Sequence, residues 1–115
     1  MRASPSRALA LLLLLAVLSV AGCARRESVP DAAALQARSQ ALIEAGNTFY
    51  RGGDHTTAAK RYAAAAVVKP DDPAAYFGLG MALKQLGRDE DARQAYARAR
   101  ELAQQARGAS VDTAR

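Results

Sequence analysis

A period of 34 residues runs through the sequence from about residue 39 onwards and constrains the fold more than any other feature. Glycine, alanine and bulky residues recur at this offset. The pairs are Leu42 and Tyr76, Gly46 and Gly80, Phe49 and Leu83, Gly53 and Gly87, Ala58 and Ala92, Tyr62 and Tyr96, and Ala65 and Ala99. Self-similarity at such a period indicates a repeat architecture, in which each unit buries its apolar face only against its neighbours.

Composition and spacing both favour helices for these repeats. Alanine makes up about a quarter of the 115 residues, Trp is absent, and there are only four Tyr and two Phe, which favours helix over sheet. Gly46 and Gly80 allow two helices to approach closely. The paired alanines recur at the seven-residue interval of one helix face, with Tyr62 or Tyr96 filling the volume between them. The second glycine of each unit suits the left-handed conformation that ends a helix.

The pattern resembles the tetratricopeptide repeat, a helix–turn–helix unit of 34 residues. The first repeat covers about 39–72 and departs from the family pattern at Ala45, where leucine is usual. The second covers about 73–106, has Leu83 where an aromatic residue is usual, and lacks the closing proline at Gln104. We therefore predict an all-α fold of two helical hairpins, a short α-solenoid that follows a cleaved signal peptide.

Aspartate residues predict where the helices begin, because a side-chain oxygen can cap the free backbone amides of a first turn. Such residues are Asp31, Asp54, Asp72 and Asp89, and Pro73 suits the first helical position. The predicted helices are about 32–52, 55–69, 73–86 and 89–107, within a repeat domain of residues 31–107. Residues 108–115 are expected to form a flexible tail.

The first 22 residues have the layout of a secretory signal peptide. Arg2 and Arg7 precede an apolar block from Ala8 to Ala21 that only Ser19 interrupts. The block is shorter than the roughly 20 apolar residues that a membrane-spanning helix needs. We therefore predict a cleaved signal peptide over residues 1–22.

The end of this segment, Val20-Ala21-Gly22-Cys23, resembles the lipobox of bacterial lipoproteins. The resemblance implies cleavage between Gly22 and Cys23, a diacylglycerol on the Cys23 sulfur, and an acyl chain such as palmitate on the new amino terminus. Cys23 is the only cysteine; the alternative is an ordinary signal peptide with a free or intermolecularly paired thiol. Two or three acyl chains would hold the protein on a membrane surface, with residues 23–30 as a lipidated tether.

Localisation follows from the same resemblance. The chain would be anchored in the bacterial envelope and face the periplasm or the exterior. Position 24 holds alanine and not the aspartate that retains lipoproteins in the inner membrane of enteric bacteria, which favours the outer membrane.

Neither a catalytic constellation nor a metal site is predicted. A serine or cysteine nucleophile would need a histidine base. His55 is the only histidine and lies at a predicted hairpin turn beside Asp54, and the only cysteine is the predicted lipid site. Asp89-Glu90-Asp91 opens a helix, where negative charge complements the helix dipole. The formal charge of +5 falls to about +3 without Arg2 and Arg7, well short of a nucleic-acid-binding stripe. We expect no enzyme activity, no cofactor apart from the covalent lipid, and no nucleic-acid partner.

The resemblance implies surface recognition of a protein or peptide, because the first helix of each repeat lines the inner face of such arrays. The predicted partner-binding residues are Ile43, Asn47, Tyr50, Arg51, Phe77, Met81 and Lys84. The alternative is that Phe77 and Met81 pack against the first repeat or the segment before it. A carboxylate clamp is not expected, because Ile43 and Gly78 occupy two of the positions where such clamps have Lys and Asn.

Two repeats leave two open ends, which predicts association with a copy of the chain or with another protein. The function that fits best is a membrane-anchored adaptor or scaffold in the assembly of pili, secretion systems or outer-membrane machinery. The alternatives are a self-associating structural lipoprotein and a regulator of an exported cell-wall enzyme.

Overall fold

The computed structural model describes residues 29–115, a range that contains four helices and no strand. The helices are α1 (Ala32–Arg51), α2 (His55–Val68), α3 (Pro73–Gln85) and α4 (Asp89–Thr113). The predicted all-α fold is confirmed. None of the helices in this range is both long enough and apolar enough to span a membrane. The predicted signal peptide (1–22), the lipidation site Cys23 and most of the tether (23–30) lie outside the described residues.

Aspartate side chains cap the first three helices, as the sequence predicts. Each carboxylate accepts a hydrogen bond from a backbone N–H two or three residues further on, which satisfies one free donor of the first turn. The donor–acceptor distances are 2.7 Å from Ala34 to Asp31, 2.9 Å from Thr57 to Asp54 and 2.9 Å from Ala74 to Asp72.

Helix α4 begins in a different way, and the prediction that Asp89 caps it is wrong. Arg88 occupies the capping position and makes no side-chain capping bond within residues 29–115, while Asp89 already lies in the first turn. Three acidic residues in that turn complement the positive end of the helix dipole. Arg88 is held by Asp91, with 2.6 Å between Nη2 and Oδ2.

The two hairpin turns repeat the same geometry 34 residues apart. Gly53 and Gly87 have φ angles of 82° and 72°, in the left-handed region that disfavours a Cβ atom. The next residue then donates its N–H to a carbonyl of the last helical turn: Asp54 to Phe49 at 3.0 Å, and Arg88 to Leu83 at 3.0 Å. The predicted role of both glycines at the helix ends is confirmed.

Helix α4 is longer than the predicted boundary at residue 107, because it continues to Thr113. Gly108 is the one weak helix former in this extension, and a single exposed glycine costs a helix only about 1 kcal/mol relative to alanine. Ser110 donates its hydroxyl to the carbonyl of Ala106 at 2.9 Å, so the polar side chain is satisfied within the helix. Most of the segment predicted as a flexible tail is therefore helical.

Packing of the hairpins centres on Tyr62. α1 packs on α2, α4 packs on α3, and α3 also contacts both α1 and α2. The Tyr62 ring is almost completely buried and lies between Gly46 of α1 and Gly78 of α3. A Cβ on Gly46 would lie 2.7 Å from the ring carbon Cε1, and a Cβ on Gly78 would overlap the ring. The surrounding core consists of Ile43, Ala58, Ala65, Ala75 and Ala82.

Tyr96 has the same place in the second hairpin but is only half-buried. A Cβ on Gly80 would lie 2.8 Å from its ring carbon Cδ1, so one ring face rests on its own hairpin. The paired alanines of both repeats, Ala58, Ala65, Ala92 and Ala99, are buried as predicted. The difference between the tyrosines is that no described helix covers the second face of Tyr96.

Candidate protein-binding surfaces

Tyr50 lies near the rings of Tyr62 and Tyr96, on the inner face that α1 and α3 form side by side. Tyr62 donates its hydroxyl to Oδ1 of Asn47 over 2.6 Å. Burial raises the pKa of Tyr62; nearby Tyr50 raises it further, and Arg51 opposes the change. Burial also raises the pKa of Tyr96, again with a contribution from Tyr50. Tyr50 is therefore close enough to both rings to influence their titration.

Tyr50 is held in place from behind by His55, the first residue of α2. The two rings meet edge to face, with their centroids 4.9 Å apart. Tyr50 also packs against the core around Tyr62. His55 thus acts here as a packing residue, although its Nδ1 is buried without a hydrogen-bond partner in the described residues. The contact packs one side of the Tyr50 ring against the start of α2.

Two exposed cations flank this aromatic group. Arg51 follows Tyr50 directly at the end of α1, and Lys84 lies beside Tyr96 in a shallow depression. Within residues 29–115 the ion pairs involve Lys69, Arg88, Arg93 and Arg98, so neither Arg51 nor Lys84 is neutralised there. Met81 precedes Lys84 by one turn of α3 and is half-buried. We define the inner face by Asn47, Tyr50, Arg51, Met81 and Lys84.

Ile43 must be removed from the predicted partner-binding set. Its side chain is only 7% exposed and belongs to the core around Tyr62. The reason is that α3 packs over this part of α1 and α2. A bound partner cannot reach Ile43 without displacing α3.

Phe77 lies on a separate apolar surface at the open end of the second hairpin. Its ring is 54% exposed and rests against Tyr96, with centroids 5.5 Å apart and planes tilted by 56°. The contact is thus within its own hairpin. A groove between α3 and α4 begins here, which we call the end groove. It is lined by Pro73, Ala74, Phe77, Tyr96, Ala99, Arg100 and Ala103.

The opposite end of the array carries a second apolar surface, between α1 and α2. Val67 is 80% exposed there. The depression is lined by Arg38, Ala41, Leu42, Ala64, Val67 and Val68. Both ends of the described array are therefore apolar and uncovered.

Metal binding has no structural basis in this part of the chain, because residues 29–115 contain no group of three or more His, Cys, Asp or Glu side chains placed to hold an ion.

Two stacked helical hairpins, with their first helices side by side and apolar ends, define a helical-repeat protein. The chain belongs to the tetratricopeptide repeat family, whose model matches residues 43–107, more than half of its length. Repeats of this family typically mediate protein–protein interaction and are not catalytic, so the domain is an interaction or scaffold module. A comparison with curated proteins gave no match.

Proposed function

We propose that this protein is a lipid-anchored adaptor that holds a protein partner at a membrane surface of the bacterial envelope. Its role would be in the assembly of a pilus, a secretion system or outer-membrane machinery. The observation that carries the binding role is the inner face, where Tyr50, packed on His55, shares a surface with the exposed cations Arg51 and Lys84, neither of which is in an ion pair within residues 29–115.

Such a surface suits a peptide segment that combines a carboxylate with an apolar side chain. Binding hot spots are enriched in Tyr and Arg, because these residues offer a large contact area and directed hydrogen bonds. A preorganised ring loses little conformational entropy on binding. The two cations add charge complementarity, which selects acidic partners and raises the association rate.

The anchor in this proposal rests on the sequence. Cys23 follows small residues at the end of the apolar block, and acylation there would fix the chain to a lipid surface. Helix α1 begins at Ala32. Residues 24–30 can span at most roughly 25 Å when fully extended. The repeat domain would therefore remain close to the bilayer, and its partner would be an envelope protein.

Acylation is tested by replacing Cys23 in a bacterial host. The chain with its natural Cys23 should incorporate labelled palmitate and sediment with membranes. Cys23→Ser should incorporate no label and should appear as an unprocessed, larger species. Equal labelling of the two chains would exclude Cys23 as the lipid site.

The inner face is tested by in-cell crosslinking from Lys84, replaced by a photoreactive amino acid. Gln94 is the matched control, because it is exposed on α4 on the side away from Tyr96. We expect a discrete adduct with another envelope protein from position 84, weakened by Arg51→Glu, and none from position 94. Adducts of the same pattern from both positions would refute the inner-face assignment.

A further inference from the structure

The end groove is the 34-residue counterpart of a surface whose central part is covered in the first hairpin, although Gln40, the counterpart of Ala74, is exposed and Lys69, the counterpart of Ala103, is only partly buried. Counterparts of groove residues are Ser39 for Pro73, Ile43 for Phe77, Tyr62 for Tyr96, Ala65 for Ala99 and Ala66 for Arg100. In the first hairpin Ser39, Ile43, Tyr62 and Ala65 are all buried, with exposures of 7% or less. What buries them is helix α3. The molecule itself therefore shows which kind of element covers a surface of this shape.

The covering face of α3 has a definite chemistry. Ala75, Gly78 and Ala82 are buried, at the spacing that places three residues on one side of a helix. Gly78 is decisive, because any side chain there would overlap the Tyr62 ring. Because Gly78 has no side chain, the backbone of α3 lies directly on the face of the Tyr62 ring. Tyr96 rests on Gly80 in the same way and presents its other face to the end groove.

We propose that the end groove binds an α-helix of another protein, which presents small residues in the spacing Ala-x-x-Gly-x-x-x-Ala to Tyr96 and an acidic side chain to Arg100. The acidic group is required because Arg100 stands where the first hairpin has Ala66. Arg100 takes part in none of the ion pairs found within residues 29–115. The inference rests on the proposed adaptor role and names a second surface for it and the helix it would hold.

A second copy of this chain does not fit the groove by continuing the array. In that arrangement α1 of the copy would take the place of α3, with Ala41 for Ala75, Glu44 for Gly78 and Thr48 for Ala82. Glu44 would then meet the ring of Tyr96 at the position where even a Cβ overlaps the ring of Tyr62. Helix α1 of a copy therefore does not supply the glycine that the groove requires, which favours a helix of a different protein.

The probe for this proposal is a synthetic helix with the sequence of residues 71–86, which contains α3, its capping residue and acidic residues at its start. A side-chain lactam on the solvent side holds it helical. It is titrated against the full chain in lipid nanodiscs that each carry one molecule, and binding is followed by fluorescence anisotropy. We expect saturable one-to-one binding. A matched peptide with leucine in place of Gly78 should bind roughly tenfold more weakly or worse.

Two variants of the chain locate the binding. Ala103 lines the end groove, whereas Ala97 is exposed on the same helix and does not line the groove. Ala103→Arg should weaken peptide binding roughly tenfold or more, because its side chain fills the groove; the charge that it adds near Arg100 is matched in Ala97→Arg, which is also three residues from Arg100. Ala97→Arg should leave it unchanged. Equal binding of the glycine and leucine peptides, or equal effects of the two variants, would overturn the proposal.

Self-association is the competing outcome and is measured by energy transfer between nanodiscs that carry donor- and acceptor-labelled chains. Transfer abolished by Ala103→Arg but not by Ala97→Arg would place a second copy in the groove and overturn the proposal. If no adduct formed from position 84 but the peptide still bound, the assignment of the inner face as a binding surface would be refuted and the end groove would remain supported. If the adduct from position 84 formed but the peptide did not bind, only the end-groove proposal would be refuted.

Discussion

Replacement of Gly78 by alanine should destabilise the fold, although alanine is favoured over glycine in a helix by about 1 kcal/mol. The added Cβ would overlap the Tyr62 ring, and even Cζ, the third-nearest ring atom, would be only 2.7 Å away. The ring cannot move aside, because its other face rests on Gly46, where a Cβ would also be 2.7 Å from Cε1. One of the two helices has to shift.

The magnitude follows from two opposing contributions. Overpacking of a well-packed core costs about 1–3 kcal/mol, and the gain in helix propensity offsets about 1 kcal/mol of it. We expect the free energy of unfolding to fall by up to about 2 kcal/mol. For a domain of this size each kcal/mol corresponds to about 4–8 °C, so the Tm should drop by up to about 16 °C.

Gly108 provides the matched control, since it lies within α4 with nothing within 4 Å of an added Cβ. Gly108→Ala should therefore raise the free energy of unfolding by about 0.5–1 kcal/mol. Both variants are compared by thermal and urea unfolding of residues 24–115, followed by far-ultraviolet circular dichroism. If Gly78→Ala were as stable as Gly108→Ala, Tyr62 would not be clamped between α1 and α3, and the packing argument would fail.

Three smaller effects can be measured in the same unfolding assay. Tyr62→Phe should cost about 0.5–1.5 kcal/mol, because it removes the 2.6 Å hydrogen bond to Asn47; no loss would mean that water replaces this bond. Hydrogen bonds from Thr57 lower the pKa of Asp54 below its ordinary value of 3.8. Its contribution is therefore present above pH 4 and lost as the pH falls through the lowered pKa, so the deficit of Asp54→Ala should shrink in acid. Gly87→Ala should cost about 1 kcal/mol at its φ of 72°, and Gly87→Asn less.

Features that depend on local geometry were predictable from the sequence. The caps at Asp31, Asp54 and Asp72 need only a side-chain oxygen and the next few amides. The predicted capping position of α4, Asp89, was wrong by one residue, because a run of three acidic residues does not show where the helix begins. The end of α4 was missed for a related reason: Gly108 weakens a helix but does not terminate one.

Features that depend on the neighbouring helix were not predictable in the same way. Ile43 and Phe77 hold the same repeat position, and the resemblance places both on a binding surface. α3 covers Ile43, whereas no described helix covers Phe77. The bond between Tyr62 and Asn47 and the contact of Tyr50 with His55 join different helices. Their geometry arises only when the hairpins have packed.

Residues that the two repeats share pack within the hairpins and are not available to a partner. Information about binding therefore lies at the positions where the two repeats differ. Gly46 and Gly80 each support a tyrosine of their own hairpin, and neither is free to contact a partner. The pair Ala66 and Arg100 is different: an apolar residue under α3 becomes a charged residue at an uncovered surface. The pair Glu44 and Gly78 decides which helices can cover such a surface, since only the glycine fits against an aromatic ring. A third repeat added to this array would therefore need a glycine at its own counterpart of Gly78, and a partner helix that binds the end groove has to meet the same requirement.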